Sequence, residues 1–328
     1  MTTPVCLLSV GIAYPPYGYD VKSFSQMMKE SAEFVVKKLD PSKPDQKKRI
    51  DDIQENANWV IGLAEASGIE KRQSHVKDLL QFYKERNFCP TVQERAEIWR
   101  KECPALAMKA VDKCLSNWGG DKNRIKTVVA HSTTGWDVPG LAHHVIFNLE
   151  LPQDARAVPV MFVGCQGGMT ILYVGKVIAE SEQNGGDLVM AVGAEIQTIL
   201  GRFYDEKCSL ERSIYMPMVL FGEGAAACII GRPDLSVDGK KFPLWEWGNL
   251  GAYYIPNTRH VLMIGISEED GLYIENSIKK ELPVHLNAEL TKHLGKWLKH
   301  ALGVNINDVD FAVHPGGLKL LKKFCQIN

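Results

Sequence analysis

The stretch from residue 158 to residue 192 constrains the fold more than any other part of the chain. An apolar run, Val158–Val163, leads into a glycine-rich turn at residues 164–168, and a helical pattern then continues to about Gln183. A second apolar run, Leu188–Val192, follows a polar turn. Two buried strands connected through a helix are typical of a parallel sheet. The pattern therefore predicts an α/β protein with layered sheets and crossover helices.

Cys165 lies in that turn, at the junction of the first strand and the helix. The unpaired N–H groups at a helix start favour an anion, so this position favours a thiolate over a thiol. The flanking glycines allow a tight turn and the close approach of a substrate carbonyl. Cys165 is thus a candidate nucleophile, although most free cysteines only fill apolar space beneath a helix.

Composition excludes several other classes of protein. The 328 residues carry 38 Lys and Arg against 39 Asp and Glu, without long runs of one sign, which does not favour a nucleic-acid partner. The sequence shows neither a signal peptide nor a membrane-spanning run. Its 8 cysteines form no CxxC pair, which indicates a reduced, cytoplasmic protein without a structural metal or disulfide framework.

The remaining pattern extends the α/β arrangement over the whole chain. A composition shift that begins at Pro233 divides it into residues 1–232 and residues 233–328. The first part has further strands at Val5–Ile12, Arg124–Ala130 and within Val219–Ile230, and helices at Asp51–Ala66 and from Thr91 to Asn117. The second part has strand-like segments around Trp245 and at Val261–Ile266, a helix at about Leu286–Leu302 and a short buried strand at Asp308–Val313.

His314 follows the last predicted strand, as Cys165 follows a strand in the first part. An imidazolium beside a cysteine keeps the thiolate ionised near neutral pH and can donate a hydrogen bond to a thioester oxygen. His131, His143 and His144 have no spacing typical of a metal site. A cysteine protease or hydrolase would also need a Cys–His pair, but the glycines around both residues do not favour that class.

Five motifs in register along nearly the whole chain resemble the chalcone synthase-like, or type III, polyketide synthases. The motifs are GCQGG at 164–168, TTGWDVPG at 133–140, FGEGAAACIIG at 221–231, GLYIENSIKKELP at 271–283 and HPGG at 314–317. The resemblance implies a thiolase-like fold with two similar α/β/α halves, normally a homodimer. It also implies acyl-CoA and malonyl-CoA as substrates and no separate cofactor.

The resemblance also implies a role for particular residues. Cys165 matches the nucleophile that accepts the starter acyl group, and His314 matches the histidine that holds the thiolate and, with an asparagine, polarises malonyl-CoA for loss of carbon dioxide. Phe221 matches the aromatic gatekeeper, and Val138 matches a loop residue that reaches across the dimer. The other implied substrate-binding positions are Thr133, Leu200, Gly265, Leu272, Ile274, Gly316 and Gly317.

Three departures from the family pattern change what we expect. Ile274 replaces a second gatekeeper phenylalanine, which disfavours an aromatic starter. Trp59, Gly62 and Ala66 replace the basic cluster that contacts CoA phosphates, so we expect Lys71, Arg72 or Lys319 to take that role.

The sequence given also ends before the family's asparagine segment and its last strands. We therefore expect an incomplete second half and impaired condensation. The alternatives are a ketoacyl synthase III-like or hydroxymethylglutaryl-CoA synthase-like enzyme, or an inactive fragment or pseudoenzyme. HPGG at 314–317 disfavours the ketoacyl synthase.

Overall fold

The computed structural model contains a six-stranded mixed sheet with helices on both faces. It describes residues 4–182, 186–233, 244–248, 250–267, 271–274, 282–314, 318 and 321–322. The strands are β1 Cys6–Ala13, β2 Tyr17–Asp20, β3 Lys71–Ser74, β4 Ile125–Ser132, β5 Arg156–Met161, β6 Leu188–Glu195, β7 Gly224–Gly231, β8 Trp245–Glu246, β9 Ile264–Ser267 and β10 Gly271–Ile274. The helices are α1 Val21–Val36, α2 Pro44–Ala66, α3 Leu79–Lys84, α4 Val92–Trp118, α5 Leu141–Leu149, α6 Gly167–Ser181, α7 Arg212–Leu220, α8 Leu282–Glu289 and α9 Gly295–Leu302.

The strand order of the large sheet is β5-β4-β6-β7-β1-β8. Strand β4 pairs in parallel with both β5 and β6, whereas β7 is antiparallel to β6 and to β1. The connections through α5 and α6 are the crossovers that parallel pairing requires. The predicted strand–helix–strand unit around Cys165 is thus confirmed, and its strands β5 and β6 both lie beside β4.

Both faces of the sheet are covered over β1, β4, β6 and β7, which explains why these strands are mostly apolar, whereas the edge strand β5 is only partly covered. Helix α4 packs against β1 and β7 and continues through Pro104, and α6 packs against β4 and β6 on the opposite face. Thr91 caps α4 in a capping box with Glu94, which explains why the helix begins there. A separate apolar cluster joins α1, α2, α3 and α7.

The part of the chain after residue 250 differs from prediction in two places. The predicted strand Asp308–Val313 is wrong, because Ile306–Asp308 is a 3₁₀ turn and residues 309–314 have no regular structure. Phe311 and Val313 are exposed there, and within the described residues no strand pairs with this apolar run. The predicted helix at Leu286–Leu302 is divided into α8 and α9 by a π-helical turn at Leu290–Leu294.

Strand β8 bears on the proposed boundary near residue 232. Trp245–Glu246 pairs with β1 and so extends the first sheet, while β9 and β10 form a two-stranded sheet of their own. The division into residues 1–232 and 233–328 therefore stays a prediction. Within the described ranges, no helix has the length and apolar character needed to span a membrane.

Candidate active site

Three parallel strands end at the same edge of the large sheet, and the candidate site lies there. Strand β4 ends at Ser132, β5 at Met161 and β6 at Glu195. The loops that follow these strands carry Thr133 and Cys165. In α/β sheets, ligands bind outside the carboxyl ends of parallel strands. A cavity of about 690 Å³ opens at this edge, and both Cys165 and Glu195 line it.

Cys165 lies where the sequence predicts, between β5 and α6. It is the middle residue of a 3₁₀ turn, Gly164–Gln166, that leads directly into the helix. Gly164 has φ +61°, a left-handed conformation that favours glycine. The Gly164 N–H donates to the Thr133 hydroxyl oxygen at 3.1 Å. This hydrogen bond connects the turn that carries Cys165 to the loop after β4.

The thiol of Cys165 is less acidic than its position predicts. The residue is exposed to solvent, yet partial burial of its sulphur by the cavity raises the thiol pKa, and the negative charge of Glu195 raises it further. A hydrogen bond from backbone N–H acts in the opposite direction but does not outweigh these two effects. Burial first and the charge of Glu195 second thus oppose the thiolate that the helix start favours, and ionisation of Cys165 stays a prediction.

His314 reaches the same cavity from the far end of the chain. It follows residues without regular structure, rather than a strand, and it is exposed. No hydrogen bond joins it to Cys165 among the described residues. The structure thus brings the two predicted catalytic residues to one cavity without pairing them.

Four of the nine predicted substrate-binding residues line the cavities that contain Cys165. Thr133, Leu200 and Phe221 line the 690 Å³ cavity together with Cys165 and His314. A second cavity of about 640 Å³ adjoins it and is lined by Gly265, Trp136 and Phe162. Both cavities contain Cys165, Thr133 and Leu200, so the cysteine lies between two spaces.

Other predicted residues do not reach the cavities. Ile274 is only 2% exposed on β10 and lines neither of them, so it does not shape the space around Cys165. Val138 is 91% exposed and lines neither cavity. The side chain of Leu272, and all of Gly316 and Gly317, lie outside the described residues.

The three residues predicted to bind CoA phosphates also differ in whether they can reach a ligand. Arg72 is buried, and its Nε donates to the Val219 carbonyl at 2.6 Å, so the prediction that it binds phosphate is wrong. Lys71 is exposed, and Lys319 lies outside the described residues. At the positions of the absent basic cluster, the Arg212 guanidinium stacks 5.0 Å from the Trp59 ring and bonds to Glu55 at 3.0 Å.

Glu195 is a site residue that the sequence reasoning missed. Its carboxylate accepts hydrogen bonds from the N–H groups of Thr133 at 2.9 Å and of Thr134 at 3.0 Å, and from the Ser132 hydroxyl at 3.3 Å. The side chain is 25% exposed and faces the cavity. The sequence contains one signal that could have identified Glu195, namely a carboxylate shortly after a predicted parallel strand.

His131 lies beneath Glu195, and the sequence reasoning weighed it only as a metal ligand. Its Nε2 is 3.2 Å from the Glu195 carboxylate, and its Nδ1 is 3.0 Å from the Val160 carbonyl oxygen. Burial lowers the pKa of the imidazole, but the hydrogen bond and charge of Glu195, with the bond to Val160, outweigh that effect and raise the pKa overall. The ring also contacts Gly167, where a Cβ would lie 1.9 Å from Nε2.

The mixed sheet with helices on both faces fits a thiolase-like fold, and comparison with known proteins gives the family. Residues 44–234 match the family "Chalcone and stilbene synthases, N-terminal domain". The chain is 30% identical over 243 residues to "Type III polyketide synthase A" of Arabidopsis thaliana. That alignment covers 71% of this chain and 57% of the Arabidopsis protein. The chain belongs to the chalcone and stilbene synthase family, and thus to the type III polyketide synthases.

Proposed function

We propose that this chain is an acyltransferase of the type III polyketide synthase class, with Cys165 as its nucleophile. The observation that carries the proposal is the shared cavity. Cys165 from the β5–α6 turn and His314 from residues remote in sequence line one space of about 690 Å³, together with Phe221. That volume lies within the usual range for a small-molecule site of roughly 300–1,000 Å³.

In the loading step, the Cys165 thiolate attacks the carbonyl carbon of an acyl-CoA thioester. The bond between that carbon and the CoA sulphur breaks, CoA leaves as its thiol after gaining a proton, and the acyl group remains on Cys165. His314 accepts the cysteine proton and stabilises the thiolate. Because Glu195 opposes ionisation of the thiol, loading depends on a nearby positive charge.

In the extension step, malonyl-CoA loses carbon dioxide to give an enolate. The α-carbon of the enolate attacks the acyl carbonyl on Cys165, the carbon–sulphur bond breaks, and the thiolate is released. A donor to the thioester oxygen is needed while charge develops there, and His314 supplies it. Thr133, Leu200 and Gly265 line the space in which the growing chain lies.

Intact-protein mass spectrometry after incubation with a panel of acyl-CoAs tests the proposal. We expect one acyl adduct on the wild-type chain, none on Cys165→Ala, and an unchanged adduct on Cys89→Ala. Cys89 is a matched control because it is a partly buried cysteine away from both cavities. A folded wild-type chain that takes up no acyl group from any CoA thioester would refute the proposal.

We further propose that the chain is a homodimer in solution. Helix α6 exposes an apolar stripe of Met169, Tyr173 and Val177, and Phe162 and Val138 are also exposed. The stripe flanks β5, an edge strand whose side chains are only partly covered. Contiguous exposed apolar residues of this kind mark protein interfaces.

Sedimentation velocity measures that state directly. We expect the wild-type chain to sediment as a dimer, Tyr173→Glu to sediment as a monomer, and Tyr17→Glu to remain dimeric. Tyr17 is an exposed tyrosine on β2, away from the stripe. A wild-type chain that stays monomeric at micromolar concentration would exclude this dimer.

A further inference from the structure

The pair formed by His131 and Glu195 lies at the floor of the cavity, and neither residue takes or gives a proton in the proposed loading and extension steps. His131 is 6% exposed, on β4, and Glu195 ends β6 beside it. Both residues line the same cavity as Cys165. A buried pair beside a candidate nucleophile affects its chemistry through charge, because a low dielectric strengthens electrostatic interactions.

The hydrogen bonds determine the charge of the pair. A carbonyl oxygen only accepts, so Nδ1 of His131 must donate to Val160 and must carry a proton. Glu195 accepts hydrogen bonds from two backbone N–H groups and from the Ser132 hydroxyl, so its oxygens serve as acceptors. An ionised carboxylate also only accepts, so Nε2 carries a proton as well. The ring is therefore an imidazolium.

The surrounding groups do not replace this charge. Cys103 on α4 lies 4.0 Å from the Ser132 hydroxyl, and burial and the charge of Glu195 both raise its pKa, so it stays neutral. The other titratable groups that line the cavity are Tyr14, after β1, and His314. Glu195 thus places a negative charge near Cys165, and His131 is the cation in direct contact with that carboxylate.

We propose that the His131 imidazolium neutralises Glu195 at the cavity floor and so sets the pH range in which Cys165 ionises. His131 acts through Glu195 and is a positioning residue. Gly167 is part of the arrangement, because any side chain at that position would occupy the place of the His131 ring. The inference rests on the proposed role of Cys165 but concerns the thiol alone.

Alkylation of Cys165 by iodoacetamide tests the inference without any acyl-CoA. The rate would be followed by intact mass from pH 5.5 to 9.5, with Cys165→Ala as the background. At pH 7 we expect His131→Gln to be about fivefold slower than wild type and Glu195→Gln about fivefold faster, for unit charges acting through a partly solvated site. The double variant should return to within about twofold of wild type, because it removes both charges.

His144→Gln is the matched control. His144 also bonds to a carboxylate, Asp137 at 3.3 Å, but it lines neither cavity, so its alkylation profile should match the wild-type profile. A His131→Gln profile that coincides with wild type in a folded protein would overturn the inference. If His131→Gln does not fold, ¹⁵N NMR of the wild-type histidines at pH 7 decides the matter, because a neutral His131 would also overturn it.

The two proposals fail in distinguishable ways. A Cys165 that alkylates with the expected charge dependence but accepts no acyl group would refute the proposed function and leave this inference intact. Acyl loading that occurs with no change in alkylation upon His131→Gln would support the proposed function and refute the inference.

Discussion

The two walls of the Cys165 cavity are built in different ways. One wall is the edge of the large sheet, where Thr133, Cys165 and Glu195 are held by strand ends and by hydrogen bonds between neighbouring loops. The other wall contains Ile264 and His314, which are exposed, and His314 follows residues without regular structure. The first wall is part of the folded core. The second wall carries the proposed catalytic histidine on a segment that buries little surface.

The contrast has a physical origin. Residues in a sheet are held by backbone pairing and by packing on both faces, so a side chain at a strand end has few positions open to it. An exposed residue in an irregular segment has neither restraint. We therefore expect loss of packing or hydrogen bonds in the sheet wall to lower stability, and changes in the other wall to alter rate without lowering stability.

The largest expected effect comes from His314→Ala. We expect the rate of acyl loading to fall by about 10²-fold, as for loss of a general base, while the urea midpoint of unfolding stays unchanged because the residue is exposed. Time-resolved intact mass gives the rate. His300→Ala, another exposed histidine that lies outside the Cys165 cavity, should leave both quantities unaffected. An equal loss of stability in His314→Ala would break the contrast between the walls.

Glu223→Ala tests the buried hydrogen bonds behind the sheet wall, just before β7. Glu223 is 3% exposed and binds the Nδ1 atom of His75 at 2.9 Å, the His75 N–H at 2.6 Å and the Thr198 hydroxyl. Its removal leaves buried donors without partners and should lower the free energy of unfolding by about 3 kcal/mol in urea. The exposed Glu70→Ala is the control, with little change expected. A loss below about 1 kcal/mol would show that water replaces the carboxylate.

Gly167→Ala and Gly168→Ala form a matched pair at the start of α6. The Cβ of the first would lie 1.9 Å from His131 Nε2, whereas the Cβ of the second would meet no atom within 4 Å. We expect Gly167→Ala to lose about 2 kcal/mol of stability and Gly168→Ala to gain about 0.5 kcal/mol through helix propensity. Equal unfolding midpoints for the two variants would contradict this packing of His131.

The smallest expected effect is a pH dependence of stability from His131. Its pKa is raised in the folded state, so its contribution is fully present below the ordinary imidazole pKa of about 6.5 and is lost as pH rises through the folded value. Relative to His131→Gln, the wild-type chain should therefore lose stability as pH increases above that range. Urea unfolding at several pH values measures the difference. A difference that does not vary with pH would mean that the pKa of His131 is the same in the folded and unfolded states.

Much of the first wall follows from local sequence. The apolar runs and the turn at residues 164–168 predict β5, α6 and β6 to within a few residues, and Thr91 predicts the start of α4. Local patterns suffice here because strand burial, helix periodicity and capping depend on neighbouring residues. The resemblance also identifies the cavity residues Thr133, Leu200 and Phe221.

The chemistry of the site was decided by tertiary structure. Glu195 and His131 meet only because β4 and β6 are neighbours in the sheet, and the charge of Glu195 raises the pKa of the thiol whose ionisation the helix start favours. Ile274 matches a cavity position in sequence, yet it is buried elsewhere. The sequence by itself determined the family and the place of Cys165, because motifs and periodicity are local. Only the fold decided the charge around the thiol and the approach of His314, because these depend on residues that the chain brings together across long separations.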